Sequence, residues 1–277
     1  MVEILALVGD LHCGSTVALH PDGPTPLDDG GHYDPTKAQA WLWANWCDYW
    51  RQVKAAVGRK HRLTVVLNGD LVDGDHHGTA QIVSRVPGAQ FEILMRVLAP
   101  VVALKPAHIV VIRGTSVHDG KNGASAEAAG RLLGKHATVP RDPVTGNASH
   151  WAWQGEFGGK LIDCTHHGKL GKLPWTRPNG AISLAAQIFH EYAKRIERWP
   201  DLAVRSHLHQ TTDTHDAQPV RVVALPAWQL HTEYTYKVVP DSLADIGGCL
   251  AVCEPGRKMT VETIAYQPAR NPIWYPQ

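Results

Sequence analysis

The sequence lacks the segments that mark membrane and secreted proteins. Among its 277 residues, no apolar run approaches the roughly 18 residues of a membrane-spanning helix. No basic segment precedes an apolar one at the N-terminus, so we expect no secretory signal. Internal repeats, low-complexity tracts and Ser-rich linkers are also absent. These absences predict a single domain over residues 1–277, located in the cytoplasm and without a membrane partner.

Cysteine and net charge are both scarce. The five cysteines are scattered and form no C-x-x-C pair, which favours a reducing compartment. The formal net charge of +1 argues against a broad electrostatic grip on long nucleic acid, which needs many Lys and Arg contacts to phosphate. Nothing in the sequence indicates an oligomeric state.

Histidine and tryptophan are abundant by contrast, with 17 and 10 residues. Histidine is the commonest metal ligand in proteins, so its excess directs attention to a metal site. Tryptophan is more often a core residue, and the helical spacing of Trp43, Trp46 and Trp50 predicts packing against a sheet.

The order of apolar patterns predicts a mixed α/β fold. Up to about residue 145, apolar runs alternate with segments of helical spacing, which indicates right-handed crossovers and a parallel sheet. The Ala-rich segment 124–133 predicts a helix, and Pro100 is expected to break the helix that starts near Phe91. Two further helices are expected after Asp34 and after Asn179. The predicted strands are 3–9, 62–67, 108–113, 149–157, 160–165, 202–206, 219–225, 228–237, 247–253 and 258–266.

Five apolar runs end in residue types that bind metals. The central run, 65–67, ends in Asn68-Gly69-Asp70, and open α/β sheets place their chemistry at the carboxyl ends of such strands. An isolated Asn-Gly-Asp is an ordinary turn, so the other four runs decide the interpretation. They lead into Asp10-Leu11-His12, Thr115-Ser116-Val117-His118, His166-His167-Gly168 and His207-Leu208-His209. We therefore predict that Asp and His side chains converge at one end of the sheet.

The order of these residues resembles that of the calcineurin-like metallophosphoesterases. The motifs of that family run D-x-H, G-D-x-x-D/G, G-N-H-D/E, H and G-H-x-H, and Asp70-Leu71-Val72-Asp73 matches the second in full. The resemblance spans about residues 4–209. It implies two packed mixed β-sheets flanked by helices, an αββα sandwich, whose C-terminal part is rich in strands from about residue 200.

The resemblance also implies a site with two divalent cations, which the sequence cannot identify among Mn, Fe, Zn and Ni. Such pairs lie about 3.5–4 Å apart and clamp phosphoryl groups while activating water. Asp70 would bridge the two ions. His167 is favoured over His166 as a ligand because it directly precedes Gly168, although a one-residue strand shift would exchange them. The implied ligands are Asp10, His12 and His209 for the first ion, and His167 and His207 for the second.

The third motif departs from the family pattern. The Asn ligand is missing, and Thr115 follows Gly114 in its place, where its hydroxyl would be a weaker neutral ligand unless water fills the position. His118 lies two positions later than expected. We interpret it as the histidine that protonates the leaving oxygen, with Asp119 raising its pKa, and the alternative is a loop histidine held out of reach.

Two loops complete the expectations for the site. His76 and His77 follow Asp70 closely enough to contact a bound phosphate, and the alternative is a pair of surface histidines. The Gly- and Pro-rich segment 13–32 is interpreted as a lid over the site, and the alternative is a plain surface loop.

The leading hypothesis is a metal-dependent phosphoesterase that hydrolyses phosphate esters by a metal-bound hydroxide. A phosphodiesterase or nuclease acting on a nucleotide or single-stranded nucleic acid is favoured over a phosphomonoesterase, partly because Gly74 follows Asp73 where protein phosphatases have Asp-Arg-Gly. The alternative of another class is a non-catalytic metal-binding scaffold. Retention of most ligand positions favours an enzyme.

Overall fold

The apolar runs form two five-stranded sheets in the computed structural model, which describes residues 1–76, 78–171 and 173–269. The strands of the first sheet are β1 (Val2–Val8), β4 (His61–Asn68), β5 (His108–Ile112), β11 (Ile246–Cys253) and β12 (Thr260–Tyr266). Those of the second are β6 (Ala152–Phe157), β7 (Lys160–Thr165), β8 (Leu202–Arg205), β9 (Thr212–Asp213) and β10 (Arg221–Ala224). A separate two-stranded pair joins β2 (Thr25–Pro26) to β3 (His32–Tyr33).

The first sheet has the order β12-β11-β1-β4-β5, in which β1, β4 and β5 are parallel. Its parallel strands β1, β4 and β5 are almost entirely buried on both faces, and alternate residues therefore enter different cores. Ile4 and Ala6 pack with the helices, whereas Leu5 and Leu7 pack against the second sheet. This explains why the sequence of β1 is continuously apolar.

The second sheet has the order β6-β7-β8-β10-β9, with β7, β8 and β10 parallel. Its outer face is covered by α5 (Arg177–Lys194), where Ala181 and Ala185 pack against Ala203 and Val222. The remaining long helices cover the outer face of the first sheet. They are α1 (Lys37–Ala56), α2 (Pro87–Val97), α3 (Ala99–Ala103) and α4 (Ala124–Leu133). The predicted αββα sandwich is confirmed.

Several local predictions are confirmed by these helices. The helix α4 spans the predicted residues, and the break at Leu98 that separates α2 from α3 precedes Pro100 by two residues. Trp46 and Trp50 are buried in the core, as their spacing predicted. The start of α1 lies slightly later than expected, because Thr36 forms a capping box with Gln39.

Two sequence predictions are wrong. Residues 228–237 form no strand; instead α6 (Glu233–Val238) begins at Thr232, which forms a capping box with Thr235. The segment 13–32 is not a lid, because Leu19 and His20 are fully buried and the backbone of Leu230 donates to Val17 O at 2.9 Å. Local composition does not determine the structure of either segment. Helix capping determines that of the first, and long-range packing determines that of the second.

Within the described residues, no helix combines the length and apolar character that a membrane crossing requires.

Candidate metal centre

The loops that follow β1 and β4 run side by side at the carboxyl end of the first sheet. Asp10 N donates to Gly69 O at 2.9 Å, and His12 N donates to Asp70 O at 3.0 Å. The two sheets are joined at the same end, where Asn68 Nδ2 donates to Ser206 Oγ at 2.7 Å. Ser206 stands where the resembled motif G-H-x-H has glycine, and this hydrogen bond accommodates its side chain. These contacts bring the ends of β1, β4 and β8 into one region.

Asp10, His12 and His209 form a first group of possible metal ligands, as predicted. The Nε2 atoms of His12 and His209 are 3.2 Å apart, and Asp10 Oδ1 lies 3.3 Å from His209 Nε2. Two imidazole nitrogens that share a tetrahedral Zn²⁺ at about 2.0–2.1 Å would lie about 3.3–3.4 Å apart, which is close to the separation found here. Asp10 Oδ1 is buried and has no hydrogen-bond partner among the described residues. These three side chains fit a cation.

A second group surrounds Asp70, and here the adjacent histidines differ. His166 Nε2 lies 3.1 Å from Asp70 Oδ2, while His166 Nδ1 faces Asn68 O at 2.7 Å. The proton on Nδ1 leaves Nε2 as the lone-pair nitrogen, and this atom is buried without a hydrogen-bond partner among the described residues. His167 is exposed and belongs to a group with His166 and His207. His166, which the sequence ranked below His167, is thus the better-placed ligand.

Asp10 belongs to the first group and also to a group with Asp70 and His166. It is therefore a second carboxylate, besides the predicted Asp70, that lies between the two sets of histidines. Thr115 contacts Asp70 directly: its backbone N–H donates to Oδ1 at 2.7 Å, and its hydroxyl lies 3.1 Å from the same oxygen. Thr115 thus holds the carboxylate in place, whatever its role toward a metal.

Asp73 is a functional candidate that sequence reasoning did not single out, although it completes the second motif. Its carboxylate lies 3.3 Å from His12 Nδ1 and 3.4 Å from His76 Nε2. A carboxylate on Nδ1 fixes the ring so that Nε2 faces the metal position. Gln229 Nε2 donates to the same carboxylate at 3.3 Å. Asp73 therefore positions His12.

The loop of the third motif returns His118 to the site. Asp119 N donates to Thr115 O at 2.8 Å, so the two extra residues form a turn, and the His118 ring lies 4.4 Å from that of His12 between centroids. The prediction that Asp119 raises the pKa of His118 is wrong, because the carboxylate of Asp119 accepts a hydrogen bond from Gly114 N–H instead. Burial, with His12 nearby, lowers the pKa of His118 to about 4.

His76 lies beside His118, with 4.6 Å between ring centroids, and both line a cleft of about 510 Å³. The other predicted contact, His77, lies outside the described residues. The cleft also borders several of the candidate ligands and part of α6. Its lining includes His12, Asp70, Asp73, Thr115, His207, His209, Ser15, Thr79, Gln81, Val117, Leu208, Gln229, Thr232, Glu233, Tyr234, Thr235 and Lys237.

The buried charges of the cluster require compensation. Burial would raise the pKa of Asp10, but His209 and His166 hold it well below its usual range. Burial would lower the pKa of His12, but Asp10 and Asp73 raise it to about 10. The metal-free cluster therefore binds protons, and a cation that binds must displace them.

The backbone at the site is held in an uncommon conformation. A non-glycine residue with a positive φ angle costs about 1–3 kcal/mol, so it persists only where the surrounding structure holds it in place. Such residues cluster at active sites. Nine non-glycine residues in the described part of the chain have positive φ, and five of them carry candidate ligands. These five are Asp10 (53°), His12 (45°), Asp70 (51°), His207 (76°) and His209 (55°). Gly114 is required for a different reason, since a Cβ there would collide with Asp70 Oδ1.

No known protein family and no curated protein sequence matches the chain. Several solved structures do resemble it. Vacuolar protein sorting 29 of Cryptosporidium parvum is 13% identical, with a TM-score of 0.41 over 96% of this chain and 99% of that one. A dimetal phosphatase of Danio rerio is 10% identical, with a TM-score of 0.43 over 94% and 95% of the chains. Vps29 of Entamoeba histolytica complexed with Zn²⁺ is 9% identical, with a TM-score of 0.37 over 95% and 98%. Likenesses this weak assign neither a family nor an activity.

Proposed function

We propose that this protein is a metal-dependent phosphoesterase that binds two divalent cations. The observation that carries the proposal is the convergence of Asp10, Asp70, His12, His166 and His209, with buried lone pairs on Asp10 Oδ1 and His166 Nε2 that lack hydrogen-bond partners among the described residues. Buried polar atoms are normally satisfied, so two such atoms that lie 3.9 Å apart indicate a ligand. The motif order that resembles the calcineurin-like metallophosphoesterases supports the same conclusion.

The chain offers separate histidines to each cation. Asp10, His12 and His209 would hold the first. Asp70 and His207 would hold the second together with His166, His167 or both. When bound, the two cations supply Lewis acidity that polarises the phosphoryl oxygens and lowers the pKa of the attacking water. Mn, Fe, Zn and Ni all accept such mixed ligands.

The protein's own residues orient this set. Asp73 holds the ring of His12, and Thr115 holds the carboxylate of Asp70 through its hydroxyl and its backbone N–H. His118 and His76 face the cleft, where they would contact the ester. His118 would give its proton to the leaving oxygen once the negative charge of the substrate raises its pKa.

A phosphodiester of nucleotide type is the proposed substrate. The cleft of about 510 Å³ falls within the usual range of about 300–1,000 Å³ for small-molecule sites, and it extends from the ligand cluster to α6. Room beside the metal position suits an ester with a group on each side of the phosphorus. A phosphomonoesterase and a non-catalytic scaffold are the outcomes to be distinguished by experiment. The cytoplasm remains the proposed location, in keeping with five cysteines that are all free.

The test compares Asp70→Asn with Asp75→Asn after metal loading. Asp75 lies on the same loop, pairs with Arg85 at the surface and is absent from the cleft lining, so it is a matched control. We expect wild-type protein to bind close to two cations per chain and to hydrolyse bis(p-nitrophenyl) phosphate. Asp70→Asn should lower metal content and abolish turnover while the far-ultraviolet spectrum is unchanged, and Asp75→Asn should match wild type.

Three results would contradict the proposal in different ways. Full activity of Asp70→Asn at equal metal loading would exclude Asp70 from the reaction. Stoichiometric metal without hydrolysis of any ester would favour the scaffold. Hydrolysis of p-nitrophenyl phosphate alone would favour the phosphomonoesterase.

A further inference from the structure

The helix α6 borders the cleft but contributes no buried residue to the core of the protein. It is nevertheless fixed near both ends. Glu233 N donates to Gln81 Oε1 at 2.7 Å at its start, and beyond its end Gln210 Nε2 donates to Ser242 Oγ at 2.7 Å. A tethered helix that supports no core is suited to a role at the cleft.

Two tyrosines on α6 differ in their relation to the cleft. Tyr234 is 69% exposed and lines the cleft, whereas Tyr236 is 52% exposed and does not. Tyr236 packs its ring against His231, with 5.2 Å between centroids. Of the two, Tyr234 is the tyrosine that borders the space beside the candidate metal ligands.

The charges and polar groups around Tyr234 limit what this wall can bind. Lys237 Nζ lies 3.0 Å from Glu233 Oε1, so the two charges of the helix compensate each other. The other cleft residues nearby, Thr79, Gln81 and Thr232, are neutral hydrogen-bonding groups. A wall with an aromatic side chain and neutral amides and hydroxyls suits a flat, uncharged, hydrogen-bonding group. It does not suit a polyphosphate or an acidic peptide, which would require unpaired cations.

We propose that Tyr234 is the residue on which a nucleobase of the substrate stacks while the phosphodiester occupies the metal centre. This inference rests on the proposed function and names the part of the substrate that α6 selects. Every nucleobase has a π-face, so stacking on tyrosine discriminates nucleotides from simple alkyl esters without strict sequence preference.

The experiment uses two esters with the same leaving group, thymidine 5′-(p-nitrophenyl phosphate) and ethyl p-nitrophenyl phosphate. Loss of one base–aromatic contact should raise KM by about 5- to 150-fold. We expect Tyr234→Ala to raise KM in this range for the thymidine ester and to change it less than twofold for the ethyl ester. Tyr234→Phe, which retains the ring, should resemble wild type. Tyr236→Ala is the matched control from the same helix and should leave both values unchanged.

A binding measurement separates this inference from the proposed function. Titration calorimetry with thymidine 5′-monophosphate should show the same loss of affinity in Tyr234→Ala, while the affinity for ethyl phosphate stays constant. If wild-type protein hydrolyses neither ester, the proposed function fails, and the calorimetry alone still tests the stacking. If Tyr234→Ala raises KM equally for both esters, or if Tyr236→Ala has the same effect, Tyr234 has a structural role and the inference is overturned.

Discussion

The adjacent residues His166 and His167 allow a sharp test of the metal centre, because they differ in placement and not in chemistry. His166 is 1% exposed, its Nδ1 is held by Asn68 O, and its Nε2 faces Asp70. His167 is exposed. We therefore predict that His166→Ala loses the metal-dependent stabilisation of the second site, whereas His167→Ala retains most of it.

The size of this effect follows from linkage. A cation present at 100 times its Kd stabilises the folded state by about 2.7 kcal/mol per site. For a chain of 277 residues, an unfolding entropy of about 2.1 cal/mol/K per residue gives about 0.6 kcal/mol/K. Each occupied site should therefore raise Tm by about 5 °C, and two sites by about 9 °C. Loss of one ligand that weakens binding a hundredfold reduces the contribution of that site to about 0.4 kcal/mol.

The assay is differential scanning calorimetry of each variant in EDTA and in excess Mn²⁺ or Zn²⁺, with metal content measured in parallel. Each variant is compared with itself, so the change in packing caused by the substitution cancels. The expected increments in Tm are about 9 °C for wild type, about 5 °C for His166→Ala and near the wild-type value for His167→Ala. The reverse order would assign the ligand to His167. If the metal raises Tm by the wild-type amount in both variants, neither histidine is a ligand.

Three further predictions concern the loop from Thr115 to Asp119. Metal titration of wild-type protein should give two unequal affinities, since Thr115 offers only a neutral hydroxyl that already contacts Asp70. Two equally tight sites would mean that another residue completes the weaker one. His118→Ala should retain both metals and slow an alkyl or nucleoside ester by about 10²–10⁴-fold but a nitrophenyl ester much less, and equal losses would exclude proton donation. Burial, with Asp70 nearby, raises the pKa of Asp119 to about 7 in the folded protein. The protonated carboxyl therefore favours the folded state at a pH below the unfolded pKa of Asp119, and this contribution is lost as the pH rises through 7. In EDTA, Asp119→Asn should therefore exceed wild type in urea stability at pH 8, with an upper limit of about 4 kcal/mol, and lose this advantage toward pH 4.

The sequence was most informative where local and long-range preferences agree. The helix α4 is rich in alanine and also packs its apolar face on the first sheet, so its bounds were predicted. Residues 228–237 contain aromatic and β-branched residues that favour a strand, yet no strand pairs with them, and the capping box at Thr232 starts a helix.

The candidate site was predicted as a set of residues but not as a geometry. The motif order brought Asp10, His12 and His209 together correctly. It did not decide between His166 and His167, because neighbouring residues at a strand end point to opposite sides and only the register determines which one faces inward. It also did not identify Asp73 as the carboxylate beside His12, since that contact depends on the backbone pairing of two separate loops, in which Asp73 N donates to Cys13 O.

The positive φ angles at the candidate ligand positions cost free energy that the rest of the fold must supply. Asp10 and Asp70 adopt a left-handed conformation without being glycine, at about 1–3 kcal/mol each, against a total stability of about 5–15 kcal/mol for an ordinary domain. The buried central strands of the two sheets supply the rigidity that holds this conformation before any cation arrives. Because the candidate ligands are already ordered, a cation that binds would not have to bear that entropic cost, and we expect a higher affinity than the same residues would have on mobile loops. The backbone strain at the strand ends and the expected affinity for cations therefore have one cause. The core of the sandwich holds the candidate ligands in a fixed geometry at the edge of the sheets.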